Sequence, residues 1–169
     1  EKDITRLQTI TDRFSKIGSE PVLEKRDIIE DTKNTVDYLQ TRVSQQVVFT
    51  FKAPEHPIYV DINPALHSWT IENLVKNAID AMKGKGSLNI IISELEDIVK
   101  ISITDSGKGI PKNQFTKVFE PGFTTKKRGW GLGLSLTKRI VQEYHKGKIK
   151  VAHSEIGKGT TMQISYKTA

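Results

Sequence analysis

Cysteine is absent from all 169 residues, so disulfide frameworks, thiolate zinc sites and cysteine nucleophiles are excluded together. Long apolar runs are missing as well. None approaches the ~20 residues that a membrane-spanning helix needs, and the start, Glu1-Lys2-Asp3, has no signal-peptide pattern. A soluble, cytoplasmic chain is expected, which is compatible with membrane anchoring of a longer protein. Blocks of one charge are scarce: 26 Lys and Arg against 20 Asp and Glu leave a net +6, and acids are interspersed among the bases along the chain. Nucleic acid is therefore not an expected partner. The exception is Lys126-Lys127-Arg128 beside a glycine run, which points to a more local anion, phosphate. What remains is ordinary globular composition, 36% hydrophobic and 27% charged, enough for one compact domain with a core.

Periodicity supplies the elements. Leu7, Ile10, Phe14 and Ile17 recur at steps of three and four, predicting a helix over residues 2–17 that packs on another helix. Gly18-Ser19-Glu20-Pro21 breaks it, and Asp27 with Glu30 forms a capping box for a second helix to about Gln45, buried through Ile29, Val36, Leu39 and Val43. Residues 47–51 and 58–60 read as strands joined in a hairpin. Asn63-Pro64 starts a third helix that stops near Gly84. Strands follow at 88–93 and 98–104, then a long loop from 106 to 130 with a short helical stretch at 114–119; a loop of that length is usually functional. A helix over 131–144 and strands at 148–153 and 161–166 end the chain. Helices and strands without strict alternation predict an α/β fold, a helix layer on one face of a mixed sheet.

Three features carry chemistry. In the helix from Pro64, Thr70, Asn73, Asn77 and Asp80 form a polar stripe beside the apolar one of Ile71, Leu74, Val75, Ala78, Ile79 and Met82. Asparagine is a mediocre helix former, so two in one stripe require a reason, either a solvated face or a ligand. Glu72 and Lys76, on a third face, read as a surface i,i+4 ion pair. Asp105 ends a buried strand just before Ser-Gly-Lys-Gly-Ile-Pro. A carboxylate sheltered there can accept a hydrogen bond from an exocyclic amine such as that of adenine, or Asp and Gly can simply supply turn geometry. Finally, Gly129-Trp130-Gly131-Leu132-Gly133-Leu134 runs straight into a helix, presenting backbone N–H groups at a positive helix end, which suits phosphate. Neither the dinucleotide G-x-G-x-x-G fingerprint nor a G-x-x-x-x-G-K-[ST] loop occurs.

Taken in order, Asn73–Ala81, Asp105–Gly109, Phe119–Lys126 and Gly129–Leu134 resemble the asparagine, first glycine, phenylalanine and second glycine boxes of sensor histidine kinases. The resemblance spans about residues 27 to 167, and Gly157-Lys158-Gly159-Thr160-Thr161 resembles the family's last glycine turn. It implies a Bergerat-type two-layer α/β sandwich, with a mixed sheet of about five strands, about three helices on one face and an additional N-terminal helix. It implies ATP and Mg²⁺ as cofactors. Asp105 would bind the adenine amine, Asn77 would hold Mg²⁺ and act in catalysis, and Asn73 would approach the phosphates. Gly107 and Gly109 would line the base pocket, and Gly131, Leu132 and Gly133 the phosphates. Asp80 and Thr160 would complete the nucleotide site, with Thr124, Thr125 and the catalytic cation Lys126 on a mobile lid over 111–130.

Related ATP hydrolases carry a water-activating glutamate one turn before the metal-binding asparagine. This chain has Asn73 there, and Glu72 points roughly 100° away around the helix, which suits transfer to a protein side chain. None of His56, His67, His145 and His153 has the setting of the family's acceptor histidine. Residues 1–20 are thus expected to be the second helix of a dimerisation and phosphotransfer hairpin, and 21–169 the ATP-binding catalytic domain. The expected partners are the missing hairpin helix with its acceptor histidine, a response regulator and, for the full-length protein, a second copy. An anti-sigma-type serine kinase and a non-catalytic nucleotide-binding module are the rival readings.

Overall fold

The computed structural model describes residues 21–43, 45–122 and 133–169. The expected helix over residues 2–17 lies outside them, as do Thr124, Thr125, Lys126, Gly131 and Leu132. In chain order the elements are β1 (Glu24–Asp27), α1 (Ile28–Gln40), β2 (Val47–Lys52), β3 (Tyr59–Ile62) and α2 (Pro64–Ala81). After these come β4 (Gly86–Leu95), β5 (Ile98–Asp105), 3₁₀ turns at Lys112–Gln114 and Lys117–Phe119, α3 (Gly133–Arg139), β6 (Lys148–Glu155) and β7 (Gly159–Lys167). A π turn, Ile140–Tyr144, extends α3.

Five strands form the main sheet in the order β2-β4-β5-β7-β6, parallel between β2 and β4 and antiparallel elsewhere. Alternation decides which side is covered. Val99, Ile101 and Ile103 of β5 are fully buried with Ile90 of β4 and Ile164 of β7, whereas Lys100, Ser102 and Thr104 lie on the other face. The buried side packs on Ile71, Leu74, Val75 and Ala78 of α2, with Val36 of α1 and Val141 behind α3. Each Val, Leu or Ile among them contributes about 1.5–3 kcal/mol on burial, so the α2 stripe is what docks the helix layer on the sheet.

Caps set the helix starts. Asn63 accepts the N–H of Leu66 at 3.1 Å and Pro64 follows it, so α2 begins where the sequence places it. Asp27 accepts the N–H of Ile29 and starts α1. That helix ends at Gln40 and not near Gln45, because the Thr41 hydroxyl donates to Tyr38 O and the Arg42 N–H to Leu39 O, closing the last turn.

The expected hairpin of residues 47–51 with 58–60 does not form. β2 pairs with β4 and β3 pairs antiparallel with β1. The connection from 53 to 58 carries Pro54 and Pro57 and is too long and stiff for a tight turn, so the chain passes from one sheet to the other. β1, Glu-Lys-Arg-Asp, has no strand propensity in its sequence. Its conformation is held tertiarily, by the Arg26–Asp31 ion pair at 2.9 Å and by the Ile28 N–H donating to Ile58 O at 2.8 Å.

A buried polar cluster joins the layers. Thr32 and His67 share a hydrogen bond of 2.8 Å, and the Asn63 N–H donates to Nε2 of His145 at 3.1 Å. Because His145 Nε2 accepts, this imidazole is neutral with its proton on Nδ1, facing the Tyr166 hydroxyl at 3.5 Å. Burial pushes His67 down to about 3, with His145 adding to the effect, and pushes His145 down to about 4. Unfolded, both would titrate near 6.5. Above that pH neither state binds the proton; below it only the unfolded chain does, so stability is lost as pH falls from 6.5 toward 4. Thermal unfolding from pH 7.5 to 5 should show a falling midpoint. The slope should shrink in His67→Gln, by on the order of 1.4 kcal/mol per pH unit for each proton removed from the balance.

Candidate functional site

The best-built site lies where the β5 strand runs out. Asp105, its last residue, is 7% exposed. Its Oδ1 accepts the N–H of Gly107 at 2.8 Å and of Thr160 at 3.3 Å, leaving Oδ2 with no donor among the described residues. Burial raises its pKa, and the two N–H groups oppose that shift. The carboxylate is thus oriented by the protein through one oxygen and available through the other.

The turn after Asp105 is gripped from both sides. On the α2 side, Lys108 N–H donates to Ala81 O at 3.1 Å, and a Cβ on Gly107 would meet the Ala81 carbonyl carbon and oxygen at 2.7 Å. On the β6–β7 side, Gly157 N–H donates to Lys108 O at 2.8 Å, and a Cβ on Gly109, at φ +83°, would run into the Glu155 carbonyl. Glycine at 107 and 109 therefore lets two backbones approach closely. One contributor was not visible in the sequence: Ser154 Oγ accepts the Ile110 N–H at 2.7 Å, donates to Gly159 O at 3.0 Å and lies 2.7 Å from Thr160 Oγ1. No motif marks it; only its place beside the β6–β7 turn reveals it. Thr160, expected at the nucleotide, is 5% exposed and sits between Ser154 and Asp105.

The asparagine stripe leads away from this turn along α2. Asn73 Nδ2 donates to Thr137 Oγ1 at 2.8 Å, and that hydroxyl donates to Gly133 O at 2.7 Å. A Cβ on Gly133 would stand 3.0 Å from Asn73 Oδ1, so Asn73 is seated against the first turn of α3. Asn77 is half-buried and Asp80 exposed, one and two turns further on. Thr70 leaves the stripe: it is fully buried and its hydroxyl donates to Leu66 O at 2.9 Å. Glu72 pairs with Lys76 at 3.1 Å as expected, but only Lys76 reaches solvent, since Glu72 is 8% exposed. The structure thus joins Asp105, Gly107, Gly109 and Thr160 in one cluster, and Asn73 and Gly133 in another, with α2 connecting the two.

Gly109 and Gly157 have nearly the same backbone, φ +83° and +81°, but nothing lies within 4 Å of a Cβ on Gly157. Urea denaturation should therefore separate them. Gly157→Ala is expected to lose about 1 kcal/mol for the left-handed backbone alone, and Gly109→Ala on the order of 2 kcal/mol more, because the Glu155 carbonyl must move.

Residues 66–169 match the family model described as histidine kinase-, DNA gyrase B-, and HSP90-like ATPase. The chain is 40% identical over 121 residues to the sensor histidine kinase ZraS of Escherichia coli strain K12, covering 72% of this chain and 26% of that protein. The chain thus spans about a quarter of that relative's length. In structure it is similar to the catalytic domain of histidine kinase ThkA, with a TM-score of 0.77, 26% identity and coverage of 86% of this chain and 95% of that one. ThkA in complex with the response regulator protein TrrA is similar at a TM-score of 0.73 and 25% identity, over 99% of this chain and 49% of ThkA. With a mixed five-stranded sheet, an aspartate at the end of a buried strand and the family model matching residues 66–169, this chain belongs to the histidine kinase-, DNA gyrase B-, and HSP90-like ATPase family.

Proposed function

We propose that the chain is the ATP-binding catalytic domain of a two-component sensor histidine kinase, delivering the ATP γ-phosphoryl group to a histidine outside this chain. One observation carries the reading: a buried carboxylate with one oxygen fixed by the Gly107 and Thr160 N–H groups and the other without a donor among the described residues. That arrangement fits an adenine amine. It does not fit a phosphate, which a carboxylate repels.

The residues fit the rest of the nucleotide as well. Asn77 offers a neutral amide oxygen, a hard ligand suited to Mg²⁺. No group of three or more His, Cys, Asp or Glu that could hold a metal occurs among the described residues, so the phosphates themselves would provide most of the ion's coordination. Bound Mg²⁺-ATP supplies the transferable group and neutralises charge on it. The chain's own work is positioning. Asp105, Gly107, Gly109 and Thr160 orient the base, and Asn73 and Gly133 hold the phosphate end, where Gly131 and Leu132 join them by motif. Asp80 flanks Asn77, and Thr124, Thr125 and Lys126 are assigned to the lid, Lys126 as the cation nearest the transferred group.

Asn73 explains transfer in preference to hydrolysis. Its amide is tied to Thr137 and has no proton-accepting nitrogen or carboxylate with which to activate water. Glu72 is committed to Lys76 on another face. The acceptor lies elsewhere: His67 and His145 are 0% and 5% exposed, His56 is paired with Glu94 at 2.9 Å, and the exposed His153 is followed by Ser154 and not by the acidic residue usual after the family's acceptor. Residues 1–20 are assigned to the second helix of the hairpin that presents the acceptor, in a cytoplasmic homodimer whose product passes to a response regulator. The complex of ThkA with TrrA supports that last step.

Radiolabelled ATP with Mg²⁺, supplied with a hairpin bearing the acceptor histidine, should label that histidine and leave the catalytic chain unlabelled. Asn77→Ala should abolish labelling while leaving Mg²⁺-independent nucleotide binding within a few fold. Label on serine, or on a histidine of this chain, would overturn the assignment.

A further inference from the structure

The sheet face turned away from the helices carries a second feature that the nucleotide site does not use. A shallow cavity of about 370 Å³ opens there, lined by Lys100, Lys146, Lys148, Lys150 and Lys167 around Ser165 and Gln163. No acidic residue lines it, and none of the five lysines forms an ion pair among the described residues. The placement follows from strand register. Ser165 on β7 stands opposite Lys100 on β5 and opposite Lys148 on β6, and Gln163 stands opposite Lys150. Neighbouring strands lie ~4.8 Å apart and alternate residues ~7 Å apart, so lysines surround Ser165 across and along the sheet.

Lysines on β6 alone would have a structural explanation, since β6 is an edge strand and edge lysines discourage strand pairing between molecules. That does not account for Lys100 and Lys167, which stand on the interior strands β5 and β7. Like charges gathered on one face also repel, and the arrangement is costly unless an anion fills it.

We propose that this groove docks an extended acidic segment of a protein partner. An extended chain places every second side chain ~7 Å apart on one side, the same repeat as Lys148 and Lys150 along β6, so alternate Asp or Glu residues match these two, with Lys100 and Lys167 across the sheet on β5 and β7. Ser165 and Gln163, a hydroxyl and an amide on the groove floor, can bond the carboxylates or the backbone of such a segment. The alternatives fit less well. Among the described residues, none of the exposed large apolar side chains lines the groove and its one open apolar side chain is the partly buried Ile98, too little to insert into a bilayer. It also has no arginine, and its one aromatic ring, Tyr166, is 1% exposed, so base stacking is unavailable.

Fluorescence anisotropy with a labelled twelve-residue peptide of alternating Glu and Ser tests this directly. The chain should bind it in low salt, at least tenfold more weakly at 300 mM salt, as screened charges require. Lys100→Glu/Lys148→Glu/Lys150→Glu should weaken binding at least tenfold, and Lys→Gln at the same positions should weaken it several fold, at unchanged ATP affinity and a melting temperature no lower than that of the native chain. The equal charge change at Lys33, Lys52 and Lys112 should alter it less than twofold. The proposal is overturned by no binding, by equal losses in the groove and control variants, or by tighter groove-dependent binding of phosphatidylserine vesicles or single-stranded DNA. If ATP binding fails while the peptide data hold, only the nucleotide assignment falls.

Discussion

The site depends on one steric constraint, the close passage of the 105–110 turn between the carbonyl end of α2 and the β6–β7 turn. Ala81 O takes the Lys108 N–H on one side and Lys108 O takes the Gly157 N–H on the other. With the turn held in this way, Asp105 has little choice of orientation: Gly107 and Thr160 both donate to Oδ1. Side chains at 107 or 109 would push the elements apart and release the carboxylate. Two N–H groups from separate pieces of chain therefore converge on one oxygen atom, and the other has no donor among the described residues.

The same logic explains why α2 can serve two masters. Its apolar stripe docks on the sheet through Ile71, Leu74, Val75 and Ala78, which fixes the helix rotation. Asn73 is then brought against the start of α3, where Thr137 receives its amide. A helix whose rotation is set by core packing places its polar stripe without further expense, apart from the weak helix propensity of asparagine. Glu72 is the side chain that does not simply follow the pattern, since it is buried and needs Lys76 to satisfy its charge.

Much of this was legible in the sequence because it was local or periodic. Asn63-Pro64 announced α2, alternation announced β5, and four ordered motifs announced the family. What was hidden was tertiary. β1 consists of four charged residues that become a strand only through pairing with β3, and β2 reads as half of a hairpin because its true partner, β4, arrives after the whole of α2. Ser154 belongs to no motif and gains meaning only from the residues that fold around it. The histidines illustrate the same limit: no motif marks His67 or His145, but burial keeps both neutral, and the Asn63 N–H holds the accepting nitrogen of His145.

The central claim is that Asp105 reads the base while α2 and α3 handle the phosphates. Calorimetric titration of the chain and of Asp105→Asn with ATP and with GTP tests it most directly. The native chain should prefer ATP, and the variant, which replaces one carboxylate oxygen by a donor amide, should bind ATP at least tenfold more weakly, a loss of about 1.4 kcal/mol or more, with an unchanged melting temperature. Equal affinity of Asp105→Asn and the native chain for ATP would contradict the account.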